Sequence, residues 1–365
     1  MRQRRTAVRA LLRAVLSRSL GRQRARVAYD LLSASRELLW NSLRRRLYPS
    51  FWRRARADRR RGVLRYALHG EFGDALLALP FLYRAWRRHP DRRIEIVIKA
   101  TASGALSRSA GDPLSEGNVR LMATASGQPV NFLLEFWSRV PFVDRVREGD
   151  VGDPREHYWQ PQPALALQGQ TAGPSDYRPF LDELFTSDDR RQAEGIWTRA
   201  GRPVRVAAHL RRSADQIAAL VSEIGRSELG PATAVAIMGS RRHEPIPDVP
   251  PHHAEVLDLT DNYEKGISIM PLLQTIRAAD LFIGGRGGFE LFALAAGVPA
   301  LTVFDDDGWW EQRRLWPERL WSENPLGVLI ESADFDAGEA FRTHVAPWLH
   351  RRFAAGQRDR AAAAS

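Results

Sequence analysis

The stretch Ala279–Phe304 limits what this chain can fold into more than any other. Leu281–Ile283 is a short apolar run of strand character, and Gly284-Gly285-Arg286-Gly287-Gly288 stops it with a glycine-rich turn. Phe289–Ala296 then places Phe289, Phe292, Ala293 and Ala296 at helical spacing, and Gly297 stands where a helix C-cap favours glycine. Val298–Phe304 is a second apolar run. A strand, a turn, a helix and a parallel strand make the βαβ unit of an open α/β sheet. Ligands of such sheets bind outside the carboxyl ends of the strands, where glycines admit a phosphate to the backbone and a helix N-terminus favours an anion. The turn also carries Arg286, a side chain able to grip phosphate with two parallel hydrogen bonds. Two readings follow: a diphosphate cradle of Arg286, Gly287 and Gly288, or a tight strand-to-helix connection with Arg286 in solvent.

The chain has 365 residues, enough for two domains and a substantial core, and its 44% hydrophobic content with 11 tryptophans excludes a disordered chain. It has no cysteine, so neither disulfides nor thiolate metal sites are available. The net charge of +11 is unevenly spread, because residues 1–61 hold 19 arginines against Asp30, Glu37 and Asp58. The remaining residues carry a net −5. A basic appendage on a mildly acidic body argues against a nucleic-acid groove in that body.

Within residues 1–61, Val8, Leu11, Leu12, Val15 and Leu16 recur at helical spacing beside Arg5, Arg9 and Arg13. This is a basic amphipathic helix. Trp40, Arg44, Arg45, Arg46 and Trp52 continue the pattern, arginine interleaved with aromatic rings. That combination suits an anionic membrane surface, where each cation contributes about 1 kcal/mol. A transit peptide, an RNA-binding arm and a packed helical extension are the competing readings. No apolar run reaches the ~18 residues that span a bilayer.

From Val63 the pattern is that of α/β units. Val63–Leu68 reads as a strand, His69–Asp74 as a loop, Ala75–Arg88 as a helix interrupted by Pro80, and Ile94–Lys99 as a strand. Asp74 stands at or beside a helix N-cap, where it is either a capping carboxylate or a general base at the mouth of the sheet. Residues 101–130 read as loop-rich and 149–180 as linker. Asp182–Ala200 reads as a helix, Val204–Leu210 as a strand, Ile217–Ile224 as a helix and Ala234–Met238 as a strand. Val256–Leu259 is a further strand, and Pro271–Ala278 a helix leading into the opening stretch. Two doubly wound domains are therefore expected, with Arg211, Arg212, Arg241, Arg242 and Arg286 gathered on one rim after the strands. Phe335–Phe353 is expected to be a helix packing back over the other domain. The tryptophans Trp309, Trp310, Trp316 and Trp321 are either a sugar platform or inter-domain packing.

The segment Gly70-Glu71-Phe72-Gly73-Asp74-Ala75-Leu76-Leu77-Ala78-Leu79-Pro80, with Tyr83–Pro90 after it, resembles the opening motif of the heptosyltransferases, glycosyltransferase family 9. Val140–Val146, Gly239–Glu244 and Ala279–Phe304 are similar to later motifs of that family in the same order, so the resemblance covers roughly residues 62–330. His209-Leu210-Arg211-Arg212 resembles, more weakly, a segment of GDP-fucose-dependent fucosyltransferases. The family usually has Asp-Ser/Thr-Gly and a following histidine where this chain has Arg286-Gly287-Gly288 and Leu291, so heptose is not implied.

The resemblance implies a GT-B fold, two Rossmann-like domains facing across a cleft. The segments are then the extension 1–61, an acceptor-side domain 62–180, a nucleotide-sugar domain 181–333, and a C-terminal helix and tail 334–365. It implies an inverting, metal-independent glycosyltransferase with no cofactor beyond its nucleotide-sugar substrate, acting on a cell-envelope glycan or glycolipid at the cytoplasmic face of the inner membrane. A sugar-nucleotide epimerase of the same fold and an inactive nucleotide-sugar-binding homologue are the alternatives. Asp74 is implied as the base, with Gly70 and Gly73 near the acceptor. Arg211, Arg212, Arg286, Gly287 and Gly288 would meet the diphosphate, and Gly239, Glu244 and Glu290 the nucleoside. Glu290 also reads as a first-turn acid complementing the helix dipole.

Overall fold

A computed structural model describes residues 60–68, 72–99, 130–149, 172–210, 213–239, 253–304 and 318–354, together with Arg53, residues 56–58 and Ser126. The first unit is built on strands β1 (Val63–Leu68), β2 (Arg93–Lys99) and β3 (Arg145–Gly149), paired in parallel in that order. Helix α1 (Phe72–Arg88) crosses from β1 to β2, burying Leu76, Leu79 and Leu82 against Ile94, Ile96 and Ile98. Pro80 lies inside this helix without ending it. The apolar run after Val130 folds as helix α2 (Phe132–Ser138), whose Phe136 and Trp137 are buried.

The 149–180 stretch is not all linker. Helix α3 (Pro174–Leu184) starts with proline at its first turn, where the missing N–H has no intrahelical partner to lose. The expected division at 180/181 falls inside it. Helix α4 (Ser187–Ala200) follows at once, started by a capping box in which the Asp189 amide donates to Thr186 Oγ1 and the Thr186 amide donates to the Asp189 carboxylate.

The second unit is a six-stranded parallel sheet. Its strands are β4 (Val204–His209), β5 (Thr233–Met238), β6 (Glu255–Asp258), β7 (Leu281–Gly285), β8 (Ala300–Phe304) and β9 (Val328–Glu331). They lie in the order β6-β5-β4-β7-β8-β9. Helices α5 (Ala214–Arg226), α6 (Ile269–Arg277), α7 (Gly288–Ala295) and α8 (Glu318–Ser322) connect them. β4, β5, β7 and β8 are buried almost throughout, which is why they read as continuous apolar runs rather than alternations. Gly297 closes α7 as expected: it takes a φ of 72°, and its N–H donates to the Leu294 carbonyl. The fold class is thus the expected one, α/β with two parallel sheets.

The C-terminal helix departs from expectation. It covers 337–354, with a wider π turn at Phe341–Val345, and packs on the second unit itself. Ala340, Val345 and Leu349 pack in one core with Val206, Leu281 and Leu301. Trp348 Nε1 donates to the Asp280 carbonyl, and Arg352 pairs with the Asp280 carboxylate at 2.7 Å. The apolar face of this helix is satisfied by its own sheet, so no crossing to the first unit is needed.

At the other end of the described chain, Asp58 is buried and pairs with Arg65 of β1 at 3.2 Å, while Arg65 also pairs with Glu95 of β2. The end of the basic extension is therefore tied to the first sheet at the start of β1.

Candidate functional site

In the second sheet the chain runs outward from β4 through β5 to β6, then returns to β7 on the other side of β4 and runs outward again. The order reverses between β4 and β7, the kind of point at which open α/β sheets take ligands outside the carboxyl ends of their strands. His209 ends β4, and Gly284-Gly285 end β7 as strand residues rather than as turn. Gly284 has to be small: a β-carbon there would stand 3.2 Å from that of His209 and 2.8 Å from the Phe282 ring. The opening βαβ stretch thus leads to the switch point of the sheet.

Arg286 follows β7 and does not reach solvent at the rim as either sequence reading required. It is 6% exposed, with its guanidinium 5.7 Å from the Phe304 ring and 5.9 Å from the Trp321 ring. Its Nε lies 3.6 Å from Glu290 Oε1. Glu290, 2% exposed, accepts the Gly287 N–H at 2.8 Å through its other oxygen. This is the first-turn acid anticipated for α7, drawn inward. Burial pushes the Glu290 carboxyl up to about 7, against the opposing pull of Arg286 and the Gly287 amide.

Gly287 and Gly288 divide the roles expected of both. At Gly287 nothing among the described residues lies within 4 Å of the place a β-carbon would take, so among them this is the position where a ligand has room to approach the backbone. At Gly288 that space is already filled: a β-carbon would stand 2.7 Å from Phe72 Cδ1 and 3.0 Å from the Gly73 nitrogen. Gly73 in turn faces Leu291, 3.1 Å from its own β-carbon position, and Gly288 Cα at 3.7 Å. The N-terminal turns of α1 and α7, one from each unit, meet here.

Asp74 is the residue after Gly73. Helix α1 begins at Phe72, so Asp74 is inside its first turn and the loop before it is shorter than expected. The backbone of the candidate base is therefore carried beside the candidate cradle. Gly239 follows β5 next to the switch-point strand, with a φ of 144°, and its carbonyl accepts the Asp261 N–H at 2.9 Å. Gly70, Arg211, Arg212, Arg241, Arg242 and Glu244 lie outside the described residues, as do Arg5, Arg9, Arg13, Trp40, Arg44, Arg45, Arg46 and Trp52. Trp309, Trp310 and Trp316 are also outside them; Trp321 belongs to the Arg286 pocket.

Two residues of the site stand within motifs quoted from the sequence but were given no role there. His209 is buried at the end of β4 with its ring 4.8 Å from that of Phe289. Its position as the last residue of a buried strand, just before two arginines, is the signal that marks it. Phe72 packs edge-on against Phe132, Phe136 and Phe289, at 5.9, 5.1 and 6.0 Å. Nothing local to it announces a partner more than two hundred residues away.

No protein-family model matches the chain, and no curated protein matches it. Among solved structures it is similar to the glycosyl transferase family 9 structure from Veillonella parvula, with 12% identity, a TM-score of 0.37 and coverage of 78% of this chain and 90% of that one. The E. coli heptosyltransferase WaaC with ADP gives 14% identity, a TM-score of 0.37 and coverage of 76% and 98%. A UDP-N-acetylglucosamine 2-epimerase gives 10% identity, a TM-score of 0.31 and coverage of 78% and 89%.

Proposed function

We propose that the chain is a GT-B glycosyltransferase that moves a sugar from a nucleoside diphosphate to a hydroxyl of a glycan or glycolipid, with inversion and without a metal. One observation supports this above the others. The glycine turn at the strand reversal of one α/β unit touches the Gly73 backbone of the other, one residue from Asp74.

In this reading the acceptor hydroxyl gives its proton to the Asp74 carboxylate as its oxygen attacks the anomeric carbon. The bond from that carbon to the diphosphate breaks on the opposite face, and the nucleoside diphosphate leaves with the electron pair. Its growing negative charge is met by Arg211 and Arg212 after β4 and by the Gly287–Gly288 backbone at the start of α7. Arg286 acts from behind that turn as a buried positive charge, not as a side chain reaching out of it. Glu290 holds the turn, and a ribose contact through it would have to replace the bond it makes to Gly287. Residues 1–61 bring the protein to an anionic membrane surface. Among the described residues no helix is long and apolar enough to cross one.

The test is transfer of radiolabelled sugar from nucleotide sugars to an envelope lipid extract by the full chain and by Asp74→Asn. The reading expects product with the former and none with the latter. Equal product from both would remove Asp74 from the reaction.

A further inference from the structure

A buried carboxylate stands at the start of α7, where the proposed reaction brings a diphosphate. Glu290 is 2% exposed, and one of its oxygens accepts the Gly287 N–H at 2.8 Å. The other lies 3.6 Å from Arg286 Nε, beyond hydrogen-bond length, and accepts no hydrogen bond from the described residues. One backbone donor and one cation compensate thinly for a carboxylate taken out of water. The Gly287 β-carbon position is clear of described residues, so a ligand anion coming to this backbone would find an anion of the chain already on its amide.

The surroundings supply little else. Helix α7 packs on α1, α3, α6, α8, β7 and β8. Of their charged residues, Arg277 of α6 is tied to Asp182, and Arg319 of α8 to Asp176 of α3 and to Glu323. Tyr177 of α3 stays neutral, because burial pushes its phenol upward. The other charged residues of α1, α3 and α8 whose side chains are described are exposed. Strand β8 has no ionisable residue, α1 brings the backbone of Asp74 beside the turn, and His209 meets the helix at the Phe289 ring. Among the described residues, the charge set against Glu290 is therefore Arg286, itself enclosed by Phe304 and Trp321.

We infer that a diphosphate enters this turn together with a proton: as it settles against the Gly287 backbone, the Glu290 carboxylate takes up one proton from solvent and leaves the Arg286 charge to the ligand. The coupling rests on the proposed function, because it needs a diphosphate at the strand reversal. A second anion beside a buried carboxylate favours the neutral acid. Burial already raises this carboxyl to about 7, so at neutral pH about half of the molecules have a charge there to lose. The neutral acid still accepts the Gly287 N–H through its carbonyl oxygen, so the turn keeps its cap. The ligand's own terminal phosphate, which ionises at about pH 6, works with the opposite sign, since cations that hold it ionised make it release a proton.

The experiment is calorimetry of UDP, GDP, ADP, CDP and dTDP on the full chain, in two buffers of different ionisation enthalpy, so that protons taken up on binding are counted. It is repeated with Glu290→Gln, which keeps the packing and an acceptor for Gly287. The ligand phosphate contributes alike to both proteins, so their difference isolates Glu290. For a rise of about one unit in the carboxyl, the parent is expected to take up about 0.4 proton more than the variant at about pH 7. Its Kd is expected to weaken about fivefold relative to the variant's between about pH 6 and about pH 8. An infrared difference spectrum of the parent should gain a carboxylic-acid band on addition of the nucleotide, and this judges the coupling even where Glu290→Gln does not fold. Equal proton counts with parallel pH profiles, or no acid band, would overturn the coupling while leaving the nucleotide site in place. Binding of none of the five nucleotides would overturn the proposed function, and the coupling with it.

Discussion

The Gly287 amide donates to the Glu290 carboxylate across 2.8 Å, so the helix that faces the strand reversal carries an anion of its own chain at its N-terminus. The same carboxylate lies 3.6 Å from Arg286 Nε, and both side chains are buried. A capping box, a buried ion pair and a glycine turn are here one structure. Its energetics decide how stable the cradle is.

Burial raises the Glu290 carboxyl from 4.5 to about 7 in the folded protein. Between those values the folded state holds a proton that the unfolded chain has lost, so this group's contribution to stability falls as pH rises and is constant above the upper value. Glu290→Gln removes the dependence. Chemical denaturation at about pH 5 and about pH 8 should show the variant gaining on the parent by about 3 kcal/mol at the higher pH. A pH-independent difference between the two would contradict a buried carboxyl at this site.

Arg286→Ala strands Glu290 without its cation in an apolar pocket. Breaking a buried pair by removing one partner costs about 3–5 kcal/mol, so the unfolding free energy should drop by that order, with less loss in Arg286→Met, which keeps the packing against Phe304 and Trp321. If the buried charge also acts on the diphosphate, calorimetry on whatever Arg286→Ala protein folds should show nucleotide affinity weaker by about 1.5–3 kcal/mol. Full stability in Arg286→Ala would mean that the pair is not formed in solution.

Asp74→Asn keeps the size of the side chain and removes its basicity. Transfer should fall to background while the Kd of the nucleotide in calorimetry stays the same, since the base meets the acceptor and not the diphosphate. Loss of nucleotide binding in this variant would place Asp74 in the donor site instead.

The basic extension is best tested by a deletion that spares its anchored end. Asp58 is buried against Arg65, so removal of residues 1–61 would also take from Arg65 one of its two carboxylate partners, whereas removal of residues 1–52 leaves that tie in place. The shorter deletion should keep the thermal midpoint and lose co-sedimentation with vesicles rich in anionic lipid, an effect weakened by added salt in the full chain. Equal pelleting of both proteins would refute the membrane reading.

The second sheet was legible because its strands are buried on both faces and bounded by glycine and charge. Val204–Leu210, Ala234–Met238 and Val298–Phe304 need no knowledge of their partners to be read as strands. Their spatial order was not legible, and that order is what makes His209 and Gly284 neighbours. Pro174 and Pro179 were read as linker, yet Pro174 at the first turn loses nothing, and the helix continues through Pro179 because Tyr177, Phe180, Leu181 and Leu184 have a core to bury into. Arg286 was assigned to solvent or to phosphate because a glycine turn after a strand suits either; the burial that pairs it with Glu290 is not visible in sequence. The contact of Phe72 with Gly288 is wholly non-local, and glycine there reads as turn chemistry when it is also a vacancy for another unit's ring.

The most direct test of the central claim is a thermal-shift panel of UDP, GDP, ADP, CDP and dTDP on the full chain, repeated with Gly287→Val, which places a branched side chain where none of the described residues stands within 4 Å of a β-carbon. A ligand present at 100 times its Kd adds roughly 2.7 kcal/mol of stability. The account predicts a clear rise with one nucleotide that Gly287→Val abolishes. No rise with any of the five, or a rise that Gly287→Val leaves intact, would contradict a nucleoside diphosphate at the strand reversal.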